Sequence, residues 1–166
     1  MQVWQITQRE MLWTGQGNQA LLDKPLTAFF SSRQCPGAAI RAAMDWALEQ
    51  ARRRQPVVSG FHSPLEQSVL KVLLQARCPV VAVLARPVAG ARLPPEWAEP
   101  LAQERMTVVS AAASTTRLTG ERAVERNQLA ARLAIDIVVA HASPSGQLSA
   151  CCDQWRLEGR MVVSLG

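Results

Sequence analysis

The sequence predicts an α/β fold built on a doubly wound, mostly parallel sheet in three layers. Two observations carry that prediction. Short runs such as PVVAVL (79–84) and MTVVSA (106–111) are nearly continuous in apolar residues, as strands buried on both faces are. They alternate with amphipathic stretches of ten or more residues, which is the spacing of parallel strands joined by crossover helices. Length sets the scale: 166 residues suit one compact core.

Each element follows in order. LTAFFS (26–31) is the first strong strand. Pro36 to Arg54 then places Ala39, Ile40, Ala43, Trp46, Ala47 and Ala51 at helical spacing. Pro36 suits a first turn, and Arg52, Arg53 and Arg54 suit the negative end of the helix dipole. QPVVS (55–59) is the second run, and 64–77 follows as a helix with Leu65, Val69, Val72 and Leu73 on one face. PVVAVL is the third strand, with a Pro-rich loop and a short helix over 95–104 after it. MTVVSA is the fourth strand. Residues 119–133 form a helix capped by Thr119. IDIVVAH (135–141) is the fifth strand, 147–157 a helix and MVVSL (161–165) the last strand. Residues 1–25 are expected as an extension of the 26–166 core within a single domain, with VWQIT near their start as an edge strand.

Composition excludes more than it identifies. Hydrophobic residues are 48% and charged residues 19%, so the chain is not a disordered polymer. No apolar run approaches the roughly 18 residues that span a bilayer. The net charge is +5, and all basic residues but Lys24 and Lys71 are arginines. Arginine grips phosphate bidentately and stacks on bases, so a nucleotide or nucleic-acid partner is permitted, although a GC-rich coding bias is the plainer account of it. Cys35, Cys78, Cys151 and Cys152 form no CxxC pair, and His62 and His141 do not flank them at zinc spacing, so no metal site is expected. Reduced thiols and a cytoplasmic location are the simplest account.

In a doubly wound sheet, ligands bind beyond the carboxyl ends of the strands. That rim collects Ser31-Ser32-Arg33, Ser59-Gly60-Phe61-His62, Ala85-Arg86-Pro87, residues 110–116 and His141 to Gly146. Hydroxyls, amides and helix N-termini there suit an anion, while at each strand end taken alone turn and cap roles explain the Ser and Gly. Gly15-Gln16-Gly17-Asn18-Gln19-Ala20 has the form GxGxxA, but no helix fits between it and the next strand, so it is read as a loop. There is neither GxxxxGK[ST] nor GxSxG. Arg122 and Arg126 lie one turn apart with Glu121 and Glu125 beside them, a pattern that by periodicity alone is a solvated salt-bridge face. Glu66 lies one turn into a helix, where the dipole favours a carboxylate, and no second carboxylate is placed to partner it.

Several of these pieces resemble, in order, the DNA-processing protein A (Smf) family. Ser59-Gly60-Phe61-His62-Ser63-Pro64-Leu65-Glu66 is similar to the family's signature strand end, with Pro64 where the family has Gly and Glu66 where it has Asp. Ser32-Arg33 matches the Ser-Arg after the early strand and Arg126-Asn127 the Arg-Asn helix element. Ser145-Gly146-Gln147-Leu148 matches the Ser-Gly-x-Leu turn, and Gly159-Arg160 opens the closing strand. Ala111 stands where the family usually has an acid. The match covers roughly 26–166 and suggests a stand-alone, diverged member.

The resemblance implies a Rossmann-like, dimeric protein without a cofactor that binds single-stranded DNA. It implies phosphate contacts from Ser32, Arg33, Ser59, Gly60, Arg126, Asn127, Ser145 and Gly146, and no catalytic residue. The alternative is a domain that binds a nucleotide-derived ligand in the same pocket. A nucleotide phosphoribohydrolase is the third reading, and Cys35-Pro36-Gly37-Ala38 is not the PGGxGTxxE motif of those enzymes. Self-association is further expected from five tryptophans, more than a chain this small usually buries.

Overall fold

The computed structural model describes residues 2–111 and 119–166. The strands are β1 (Trp4–Gln8), β2 (Met11–Gly17), β3 (Leu26–Phe30), β4 (Val57–Ser59), β5 (Val80–Val83), β6 (Met106–Ala111), β7 (Ala134–Val139) and β8 (Val162–Ser164). The helices are α1 (Gly37–Arg53), α2 (Pro64–Gln75), α3 (Ala98–Ala102), α4 (Thr119–Leu133) and α5 (Gln147–Leu157). The strands form one sheet in the order β1-β2-β6-β5-β4-β3-β7-β8. From β6 to β8 all neighbours are parallel, while β1–β2 and β2–β6 are antiparallel.

The predicted doubly wound architecture is therefore present, and the central strands are as buried as their sequences demand. Every residue of β3, β4, β5 and β6 is buried. On one face Phe29, Val57, Val80, Ala82 and Met106 pack under α1, α2 and α3. On the other, Phe30, Val58, Val81, Val83 and Ile137 pack under α4 and α5. Phe29 stacks on Trp46 and Phe30 on Trp155, one aromatic pair per face. The four cysteines are free thiols, and burial pushes the Cys78 thiol up to about 11, which keeps it protonated.

Three expectations need correction. The N-terminal extension supplies two strands rather than one: the β1–β2 hairpin adds to β6 through Trp13↔Ala111 to Gly17↔Thr107. Gly15 to Gly17 is thus strand, not loop. Gly15 is required there because Trp4 lies flat across it and a Cβ would overlap its ring, while the Trp4 indole donates to the Gly17 carbonyl at 3.0 Å. The tryptophans also lose their bearing on self-association, because Trp13, Trp97 and Trp155 are buried and Trp4 and Trp46 half-buried within the single chain. The polar loop at 112–118 lies outside the described residues, and so does the Thr119 side chain that the cap assignment concerns.

Candidate nucleic-acid interface

The sheet order reverses at β3, with β4, β5 and β6 reached on one side and β7 on the other. The crevice of such a sheet opens between β3 and β7, not between β3 and β4 as their adjacency alone suggests. Ser32 stitches its two loops together. Its N–H donates to the His141 carbonyl at 2.8 Å, and its hydroxyl accepts from the Ser143 N–H at 2.8 Å. Ser145, at φ 63°, turns the chain into α5, whose N-terminal cap is Gly146. Neither α1 nor α5 has a side chain capping its N-terminus, so their first amides face the crevice without a side-chain acceptor. Arg33 is exposed beside it.

One strand over, the β4–α2 turn is fixed from within. The fully buried Ser59 hydroxyl accepts from the Phe61 N–H at 3.0 Å, and Phe61 takes a left-handed φ of 48°. Glu66 is 4% exposed, and its carboxylate accepts from the N–H groups of Ser31 (3.0 Å), His62 (2.9 Å) and Ser63 (3.2 Å). It closes a capping box with Ser63 and ties the end of β3 to the start of α2. Burial pushes its pKa up, opposed by those three amides and by Arg126. Because its oxygens and the α2 amides satisfy one another, Glu66 is a clamp, and the α2 N-terminus is not open to an anion in the way those of α1 and α5 are.

Above this turn lies Arg126. Arg126 does not lie on the solvated face expected of α4: its side chain runs directly over Gly60, where any Cβ would overlap its Cδ and Nε. Gly60 is thus needed for close approach. Arg126 is half-buried, and Nε of both Arg122 and Arg126 is buried with no hydrogen-bond partner among the described residues. Burial lowers the Arg126 pKa, with Glu66 opposing. Partial burial, Arg126 and Arg33 together push His62 down, which keeps it neutral. Both arginines therefore bear on one imidazole.

A cavity of about 1000 Å³ opens at this point. Gly60, His62, Arg122 and Arg126 form its mouth, and it continues between α2 and the 93–100 segment to Arg77 and Arg105. Of the residues expected to contact phosphate, Gly60 and Arg126 line it, and the rim residues Phe61, His62, Ala85 and Arg86 do so as well. Ser32, Ser145 and Gly146 belong to the β3–β7 crevice, with Arg33 exposed beside it. Asn127 is half-buried on α4, and Ser59 is sealed beneath the turn. Sequence reasoning missed the cavity and its basic wall on α2. The available signal was Lys71, one of two lysines in the chain, on the polar side of that helix. Among the described residues no cluster of His, Cys, Asp or Glu could hold a metal, and no helix is long and apolar enough to cross a membrane.

Comparison with known proteins gives this geometry its context. The chain superposes on DNA processing protein A from Streptococcus pneumoniae with a TM-score of 0.73 and 21% identity, covering 92% of this chain and 54% of that one. The chain thus spans about half the length of that relative. DNA processing protein A from Helicobacter pylori, whose single-stranded DNA binding mode has been described, matches with a TM-score of 0.76 and 12% identity over 98% of this chain and 79% of that one. The molybdenum cofactor carrier protein of Chlamydomonas reinhardtii has a related fold, with a TM-score of 0.58 and 14% identity over 86% and 76%. A comparison with curated proteins finds no match. The model of the family described as DNA recombination-mediator protein A matches residues 2–158, and the chain belongs to that family.

Proposed function

We propose that this protein is a non-enzymatic single-stranded-DNA-binding module acting in DNA recombination or uptake, and that its rim holds the DNA backbone. The observation that carries this reading is Arg126, a half-buried guanidinium laid over Gly60 with a buried Nε that is unpartnered among the described residues. Two arginines bearing on a neutral histidine are a concentration of like charge that a phosphate relieves, gaining charge-assisted hydrogen bonds. Arg33, the open amides of α1 and α5, Ser145 and Gly146 form a second contact for the same backbone. Ser32, Ser59 and Asn127 shape the rim rather than present groups to it. A homodimer, a cytoplasmic location and action of the whole 166 residues as one unit belong to the same reading, and light scattering tests the dimer.

The test is titration of a labelled oligothymidylate at several salt concentrations. Arg126→Ala should lower the slope of log K against log salt by roughly 0.7, the single-strand value per phosphate contact. An unchanged slope and affinity overturn the reading. The alternative is a nucleotide-derived ligand held at the same rim. On that reading Arg33→Ala abolishes mononucleotide binding and barely alters affinity for a long oligonucleotide.

A further inference from the structure

The cavity does not stop at the rim. It follows α2, whose 12 residues rise about 18 Å, from His62 at one edge of the sheet to Arg77 and Arg105 near the other. Its walls differ in charge. Lys71 and Arg77 stand exposed on the α2 side, and their side chains have neither an ion pair nor a hydrogen bond among the described residues. Arg105 closes the far end, its guanidinium held by the Gln103 side-chain oxygen at 2.9 and 2.7 Å and by the Leu74 carbonyl at 3.4 Å. The facing wall offers half-buried Leu93 and the edge of the largely buried Trp97, with Glu96 and Glu99 exposed beside them, and Arg86, whose guanidinium donates to the Arg92 carbonyl at 3.2 Å, also lines the cavity.

We propose that this groove is a single-stranded DNA track continuing from the rim, with phosphates along Lys71 and Arg77 and bases turned toward Leu93 and Trp97. The inference rests on the DNA-binding reading above. The charge asymmetry sets the orientation: carboxylates repel phosphates and accept hydrogen bonds from base amino groups. Cations on one side and apolar surface on the other are what a strand requires when its backbone and bases are bound separately. Length agrees. At roughly 3.4 Å per phosphate in a stacked strand, 18 Å takes about five nucleotides. A mononucleotide at the mouth would leave most of the groove unused.

The experiment compares oligothymidylates of about 4 and about 20 nucleotides, bracketing the known site sizes of single-strand binders, by fluorescence anisotropy over a salt series. The proteins are wild type, Arg126→Ala, Lys71→Ala/Arg77→Ala and a charge-matched control, Arg52→Ala/Arg53→Ala, on α1 outside the groove. Thermal melts check that each variant folds. The groove variant should bind the long oligonucleotide roughly tenfold more weakly, with a salt slope lower by about 1.4, and bind the short one as wild type does. The control should match wild type. Equal loss for both lengths, no loss for either, or the same loss in the control overturns the track. The rim reading is tested separately: if Arg126→Ala binds both lengths normally, that reading fails, while the length dependence of the groove variant still decides the track.

Discussion

The two edges of the sheet use arginine in opposite ways. At the edge where the parallel strands begin, three arginines are consumed by the fold. Arg160 donates to the Ala131 and Ala134 carbonyls, both at 2.7 Å, where α4 runs into β7. Arg132 donates to the Arg9 carbonyl at 3.1 Å and so pins the β1–β2 turn. Arg105 reaches the Leu74 carbonyl near the end of α2. These are cations set against the negative ends of helices, where the dipole favours them. At the edge where the strands end, Arg33 and Arg126 have no protein acceptor among the described residues, and Arg126 is half-buried nonetheless. Equal side chains thus differ in purpose according to whether the backbone offers them carbonyls or amides. The lesson is that a basic composition becomes a binding signal only where the fold leaves the cations unanswered.

The sharpest way to break this contrast is at Glu66, which belongs to neither class. Glu66→Ala leaves three amides, two of them buried, without an acceptor, at about 1–3 kcal/mol each. We expect a loss of at least 3 kcal/mol in denaturant unfolding, and a smaller loss would mean that the rim is not clamped from below. Next comes Arg126→Ala, expected to weaken single-stranded DNA binding roughly ten- to hundredfold, as loss of a charge-assisted hydrogen bond worth about 1.5–3 kcal/mol would. Thermal stability should be unchanged or slightly higher, because a half-buried cation with no acceptor is removed. Arg160→Ala should show the reverse: about 2 kcal/mol less stability by chemical denaturation, with DNA affinity intact.

The smallest effect is that of pH. The folded pKa of His62 lies below its ordinary 6.5, so the unfolded chain binds more protons just below that value. Stability contributed here is present above pH 6.5 and is lost as pH falls toward the folded pKa. A bound phosphate reverses the sign, since it draws a proton onto the imidazole. DNA affinity should therefore rise a few-fold between about pH 7.5 and 6, and His62→Gln should remove that dependence in the same anisotropy titration.

The parallel core was legible because burial on both faces leaves a mark on sequence: the runs at 79–84 and 106–111 have no polar alternation. The hairpin was harder to read, since β1 alternates half-buried and exposed residues and β2 carries two glycines. Gly15 reads as a turn residue until Trp4 is seen lying across it. Arg126 presents the same difficulty. An Arg-Glu pattern at helical spacing reads as a solvated face, and only Gly60, far away in sequence, shows that the side chain is folded inward. Glu66 was visible as a helix-start acid, but its reach to Ser31 depends on strand order, which periodicity does not contain. The groove is a property of the gap between α2 and the 93–100 segment, and gaps leave no pattern in a chain.

The hairpin has a kinetic consequence. β1 and β2 are joined by a tight turn, yet β2 completes its pairing only with β6, and most of the chain lies between Trp13 and Ala111. Closing so long a loop is entropically costly until the intervening strands are assembled. The hairpin should therefore dock late in folding, after the parallel core has formed around the Phe30–Trp155 stack. Trp13 is buried by that docking and Trp155 by the earlier event. Stopped-flow refolding of Trp13→Phe and Trp155→Phe would thus remove different phases of the fluorescence signal, with the slower phase belonging to Trp13.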